Sequence, residues 1–280
     1  MVEAVFAANA VIAILGLALV GWHAVPDRDR LLFLGAALVY GVVLEQLVIL
    51  HFDAYTYNIA DAILTVGDVP LVIGVGWATI IYSGVQVARR LGVSARLRPL
   101  FVALFALHID LAIDAIAIRV PFWTWARVGA WFGVPLGNFT GWFLVASCFV
   151  ASWQAVRDRV PSRALAGPLT IVLAVAGLVV VLEGWTIVAT TLRRKVVILG
   201  GAIAGSAALV FRDGLSVTSI DPRIGAIPYL YHGFYLAVLV DLGLYRQRPF
   251  ILAVSLAMIG LWLLVHRGAL PGVDGSGRSV

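Results

Sequence analysis

Charge is the scarcest ingredient of this chain. Asp, Glu, Lys and Arg together make up 12% of 280 residues, against 62% hydrophobic residues. A soluble globular domain carries about 25% charged residues, so that class is excluded. Lysine occurs once, as Lys195, and cysteine once, as Cys148. A single cysteine removes an intrachain disulfide and a thiolate metal site. There is no CxxC, no HExxH and no P-loop, so these motifs point to no metal or nucleotide. No DDxxD-type diphosphate motif supports a prenyltransferase. A retinal-binding protein of the opsin type needs a lysine in mid-helix, whereas Lys195 follows Arg193 and Arg194 at a helix end. The net charge of +5 comes from arginines in short loops and does not form a nucleic-acid patch. No basic stretch precedes the first apolar run, which holds Glu3, so that run is read as a retained helix and not a cleaved signal.

What the chain does have is bilayer-length apolar runs, each of about 20 residues. They predict an all-α, polytopic transmembrane helix bundle forming one integral membrane domain over 1–280, with eight or nine spans. The spans fall near 3–24, 31–52, 69–88, 98–119, 138–156, 165–191, 196–211, 226–245 and 249–266. The seventh is short and rich in small residues, which suits close helix packing or a partial crossing. The basic loops "PDRDR", "RRLGVSARLR" and "RDRVPSR" follow spans one, three and five. The positive-inside rule makes them cytoplasmic. The loops after spans two and four, holding "HFDAYTY" and "VPFWTWARVGAWFGVPLGN", then share the opposite side. The expected location is the cell membrane, with multiple passes.

Five carboxylic acids lie inside these runs: Glu45, Asp110, Asp114, Glu183 and Asp241. All sit on even-numbered spans, in their C-terminal halves. At 1.5 Å per residue most lie roughly 6–12 Å from the helix end, with Asp110 near 14 Å. An alternating bundle therefore puts them in one leaflet. An acid at a helix centre costs about 2.5–3.5 kcal/mol on insertion scales, so a shared polar pocket is one explanation and access to water or to Arg119 is the other. Asp110 and Asp114, one turn apart on one face, favour the pocket; Asp241 favours the interface. His108 is read as a packing or locally hydrogen-bonded residue, and His232 as interfacial.

A second pattern joins the two loops. Tyr55-Thr56-Tyr57 follows Glu45, and Trp123-Thr124-Trp125 follows Asp114. Each reads as buried acid, helix end, then an aromatic–Thr–aromatic trio. "VVLEGW" around Glu183 also echoes "VVLEQL" around Glu45. An internal repeat and an aromatic belt at headgroup level both account for this. Carboxyl groups in apolar surroundings can stay protonated near neutral pH, and aromatic faces attract cations. Together they equip a site to protonate an isolated alkene and shelter the carbocation.

The stretch "HIDLAIDAIAIRVPFWTW", followed by "WFGVPLGNFTGWFLVA", resembles the carotenoid hydratases of the CruF type, which include the bisanhydrobacterioruberin hydratases. The family pattern D-x-x-x-D-P-V-A-V-R, a W-x-W cluster and Y-G-V-P-L-x-N-F-x-G-W runs through Asp110, Asp114, Arg119, Trp123, Trp125, Gly133–Leu136, Asn138, Phe139, Gly141 and Trp142. Glu45, Tyr55, Tyr57 and "VPLVIGVGW" resemble the upstream block, so the similarity spans about 40–150. Two positions depart from the pattern. Ala115 stands where members have proline, and "LHFDAYTY" replaces a glycine-rich turn.

The resemblance implies addition of water to the terminal alkene of an acyclic carotenoid end group, giving a tertiary alcohol without cofactor, metal or redox change. Asp114, or else Asp110, is the expected proton donor. Tyr55, Tyr57, Trp123 and Trp125 are expected around the cation, and the partner carboxylate or Glu45 at the water. Asn138 either orients that water or caps a helix. Arg119 and Glu183 complete the candidate binding set. The expected partners are a carotenoid or other isoprenoid lipid, the bilayer and other carotenoid-biosynthesis enzymes. A carotenoid end-group cyclase or isomerase, and a non-enzymatic carotenoid-binding or transport protein, remain alternatives.

Overall fold

The computed structural model describes residues 2–216 and 219–267. It is an all-α bundle of long helices. In chain order these are α1 (Val2–Ala24), α2 (Arg28–Phe52), α3 (Leu71–Arg90), α4 (Arg98–Ala117), α5 (Leu136–Arg157), α6 (Arg163–Val188), α7 (Leu192–Arg212), α8 (Pro222–Asp241), the short α9 (Leu244–Gln247) and α10 (Pro249–His266). Among the described residues, all of these except α9 are long and apolar enough to cross a bilayer, which makes nine candidate spans. Helix is the expected solution for such runs, because hydrocarbon offers no partner to an open N–H or C=O. Large apolar side chains such as Ile14, Leu50, Val180 and Ile187 remain exposed on the outer faces. A bilayer accounts for them; water does not.

Local chemistry sets several helix ends. Asp27 accepts from the backbone N–H groups of Asp29 and Arg30 and caps α2. Asp221 caps α8, with Pro222 in its first turn, where a missing N–H costs nothing. That cap starts the eighth helix four residues before the expected 226. The seventh helix likewise starts at Leu192, under a Thr191 cap, and is a full-length span. Neither shift alters the number of spans expected.

α4 is the most enclosed helix, and α7 and α10 are among the least. Alanines at 103, 106, 112, 115 and 117 of α4 are all buried, and such small residues let neighbouring backbones approach. α4 packs against α3, α5, α8 and α10. A second close approach joins α2 and α3. A methyl group at Gly41 would meet the Cβ of Trp77 at 2.8 Å, and one at Gly74 would meet Val42 at 2.5 Å. This crossing brings Trp77 of α3 beside Glu45 of α2.

At one end of the bundle the loops after α2 and α4 meet. β1 (Tyr55–Tyr57) pairs antiparallel with β4 (Trp123–Trp125), in the register Tyr55 to Trp125, Thr56 to Thr124 and Tyr57 to Trp123. The two aromatic–Thr–aromatic trios therefore face each other residue for residue. Bonds from Ala126 N to Ala54 O and from Asn58 N to Phe122 O extend the ladder. A small hairpin, β2 (Thr65–Val66) with β3 (Val69–Pro70), leads into α3. Val69 and Pro70 were expected inside the third span and belong instead to this hairpin. At the other end Asp29 binds Arg157 and Arg163, and Asp213 accepts from the Ser94 N–H.

Candidate functional site

Under the β1–β4 ladder lies a chamber of about 80 Å³. Glu45 comes to it from α2, Trp77 from α3, Asp114 from α4, Asn138 and Trp142 from α5, and Tyr231 and Tyr235 from α8. Tyr55, Tyr57, Trp123 and Trp125 form its roof. Their rings meet edge to face, Tyr55 on Trp125 at 4.9 Å and Tyr57 on Trp123 at 6.0 Å between centroids. Trp77 and Trp142 pack at 4.4 Å.

The carboxyl groups of this region live in two different settings. Glu45 is buried and accepts three hydrogen bonds. Trp77 Nε1–H donates to Oε1 at 2.7 Å, Tyr57 O–H donates to Oε2 at 2.8 Å, and Tyr55 O–H donates to the same oxygen. The two tyrosines lie outside the spans, and burial together with the nearby Glu45 charge pushes both hydroxyls well above the usual tyrosine range. They therefore remain donors. The indole N–H can only donate and the two hydroxyls can donate as well, so this setting can hold an ionised carboxylate, which only accepts.

Asp110 and Asp114 have the opposite setting. Both are essentially inaccessible to solvent, and they share one donor. Asn138 Nδ2 donates to Asp110 Oδ2 at 2.9 Å and to Asp114 Oδ2 at 3.2 Å. Among the described residues Asp110 Oδ1 is buried without a partner, and the indole N–H groups of Trp125 and Trp123 lie close enough to interact with Asp114. Asp114 lines the chamber, and Asp110 stands one turn behind it. Asn138 does not cap α5. Pro135 occupies the cap position, and Asn138 is the third residue of the helix, with its amide turned to the acids.

Other expectations resolve differently. Arg119 does not pair with a carboxylate. Its guanidinium donates to Ala115 O and, at 3.0 Å, to Phe132 O. It ties the loop ahead of α5 to the end of α4. Glu183 does not reach the chamber: its side chain is about half exposed and binds His51 Nε2 at 2.6 Å. On α6 the side turned toward the site carries Leu178, Leu182 and Trp185, which leaves Glu183 off that side. Asp241 is exposed at the end of α8, as an interfacial acid should be. His232 is not interfacial. It is buried, and its Nε2 lies 3.2 Å from His108 Nε2. His108 Nδ1–H donates to Phe105 O at 2.7 Å, so His232 is the donor of that pair.

Trp77, Trp142, Tyr231 and Tyr235 had been given no role in advance. The signal for the tyrosines was present as an i, i+4 pair in "YHGFY", the spacing of one helix face. Trp77 and Trp142 lie in stretches that carry the family resemblance, but an indole within an apolar run reads as packing.

The chamber adjoins a larger groove of about 530 Å³ that shares Glu45, Tyr55, Trp77, Trp125, Asn138 and Trp142 with it. Chemically, the arrangement places a close pair of buried acids and a carboxylate with three donors of its own around a space walled by aromatic rings. A family model described as carotenoid biosynthesis protein matches residues 5–208, and the chain belongs to that family. No curated protein and no solved structure matches it.

Proposed function

We propose that this carotenoid-biosynthesis protein is a hydratase, adding water to the terminal alkene of an acyclic carotenoid end group. The observation that carries the reading is the division of labour around the chamber: Asp110 and Asp114 lie one turn apart and share the Asn138 amide, whereas Glu45 accepts from three donors of its own. Two carboxyl groups in one dry site do not both ionise, so the aspartate pair is suited to hold a proton. Glu45, satisfied as an anion, is suited to oppose a cation.

In this reading Asp114, which lines the chamber, gives its proton to the less substituted alkene carbon. The π pair becomes the new C–H bond, and the positive charge falls on the tertiary carbon. The faces of Trp123, Trp125 and Tyr55 and the charge of Glu45 stabilise it. Cation–π contacts reach about 2 kcal/mol when desolvated. A water attacks the cation, and the proton it sheds returns to the Asp110–Asp114 pair. Atoms balance as one alkene plus one water. The chamber, about 80 Å³, has room for that water, since one needs about 10–15 Å³ of such volume. Asn138 fixes both aspartates against the chamber and is a positioning residue.

Expression in a host that makes acyclic carotenoids tests the reading. The expected pigment is heavier than its precursor by one water for each reacted end. A pigment of unchanged mass with a ring would establish the cyclase alternative. Unchanged pigment would leave the binding or transport alternative.

A further inference from the structure

The chamber is far too small for a carotenoid, so most of such a molecule must lie elsewhere. The groove that adjoins it is walled by three helices with matching stripes. α5 presents Gly137, Gly141 and Val145, at i, i+4 and i+8. α6 presents Leu178, Leu182 and Trp185 opposite them, and α2 closes the side with Val48 and Phe52. From Leu178 to Thr186 the groove follows α6 for eight residues, about 12 Å of helix rise. Its charged groups other than Glu45, namely Asp53, Arg127 and Lys195, belong to the loop end. On α2, α5 and α6 the walls are apolar apart from Glu45 and Asn138, which face the shared chamber, and Thr186 near the loop end.

Two glycines create the space. A methyl group at Gly141 would meet nothing within 4 Å, and one at Gly137 would meet Trp185 Nε1 at 3.6 Å. Any larger side chain at 141 would therefore project into the groove.

Resting on the hydratase reading for the end group, we infer that this groove between α2, α5 and α6 binds the linear conjugated chain behind the reacting alkene, and that Gly141 sets its bore. The occupant is an uncharged hydrocarbon polyene, because a polar or charged chain would lose its hydration against these walls without gaining partners. Its end must also be acyclic. To reach Asp114 it passes between Tyr55, Trp77, Trp125 and Trp142, which line both spaces and leave no room for a ring. The groove adjoins α6, whose outer face carries exposed Val172, Val180 and Ile187. The chain is thus admitted from the bilayer, not from water.

The test reads binding, not turnover. Protein carrying Asp114→Asn is reconstituted in nanodiscs with lycopene, a linear polyene with acyclic ends, and pigment retained per mole of protein is measured. Gly141→Phe should lower retention at least about tenfold, since overfilling a formed cavity forces side chains and backbone to shift. Leu182→Trp, on the facing helix, should do the same, and it decides the matter if Gly141→Phe does not insert. Val180→Phe, with similar bulk on the bilayer side of α6, should leave retention unchanged. β-Carotene, of equal length but ring-ended, should be retained at least about tenfold less than lycopene, as for any ligand that loses roughly 1.4 kcal/mol of fit. Full lycopene retention by both groove variants, equal retention of the two carotenes, or no retention by the parent protein would overturn the inference. Retention of lycopene by wild-type protein without hydration would instead sink the hydratase reading and leave the groove standing.

Discussion

Replacing Tyr57 by Phe removes one hydroxyl and little else. The ring keeps its edge contacts with Tyr55 at 5.4 Å and Trp123 at 6.0 Å, and the β1–β4 ladder uses backbone groups that the change leaves alone. What is lost is the 2.8 Å bond to Glu45 Oε2. Glu45 is buried, so a water from the chamber that took the vacated place would recover only part of that bond. A hydrogen bond to a charged group contributes about 1.5–3 kcal/mol, and one between neutral groups about 0.5–1.5 kcal/mol. The size of the loss therefore reports the charge on Glu45. An ionised Glu45 predicts destabilisation near 2 kcal/mol, the middle of the charged range. The assay is reversible unfolding in mixed micelles, followed by tryptophan fluorescence, for wild type, Tyr57→Phe, Glu45→Gln and the double variant. The coupling energy from that cycle should exceed about 1 kcal/mol, as for directly bonded partners. A Tyr57→Phe loss below about 0.5 kcal/mol, with additive single variants, would refute the charged-acceptor account of Glu45.

Three further outcomes follow from the same geometry. Thr56→Cys with Thr124→Cys, in a chain whose Cys148 is replaced by Ser, should form a disulfide on mild oxidation. The two residues are direct partners in the ladder, and antiparallel partners have Cα atoms about 4.5–5.5 Å apart, within disulfide range; free thiols in both would place the loops apart. Trp123→Leu should slow hydration by roughly 30-fold, the equivalent of losing about 2 kcal/mol of cation–π stabilisation, and Asp110→Asn should slow it more, measured as hydroxylated pigment per inserted protein; an unimpaired Trp123→Leu would remove the ring from the cation's surroundings. At the other end, the Arg223 side chain beside it pushes the Asp221 carboxyl down to about 2. A carboxyl lowered on folding stabilises the protein above its unfolded value and loses that support as pH falls through its folded one. Thermal stability should accordingly decline between about pH 4 and pH 2 in wild type, and less in Asp221→Asn; parallel profiles would contradict the assignment.

The bundle was legible because hydrocarbon leaves the backbone few choices, and nine apolar runs became nine helices with ends displaced by caps such as Thr191 and Asp221. The meeting of Asp110, Asp114 and Asn138 was half legible: i, i+4 spacing puts the acids on one face, but nothing local says that an asparagine from α5 will reach both. The echo between the two aromatic trios was informative because both trios lie on one ladder. The echo between "VVLEGW" and "VVLEQL" was not, because α2 and α6 bury different faces. Glu45 turns toward Trp77, whereas Glu183 turns out to His51. The place of Trp77 at the site stayed hidden for a related reason. In a chain with 62% hydrophobic residues, an aromatic side chain in a span carries no mark of the cavity it lines.

The central claim is that the Asp110–Asp114 pair delivers a proton to an alkene and that water completes the reaction. Wild type and Asp114→Asn, each reconstituted with an acyclic carotene in water enriched in heavy oxygen, test it together. Asparagine keeps the size of Asp114 and can still accept from Asn138 Nδ2, so protein insertion and pigment retention should match wild type. Wild type should yield a tertiary alcohol with one heavy oxygen per reacted end, and Asp114→Asn should form it about 10²–10⁴-fold more slowly, the usual cost of a lost general acid. An isomeric product, an alcohol without the label, or near-normal conversion by Asp114→Asn would contradict the account.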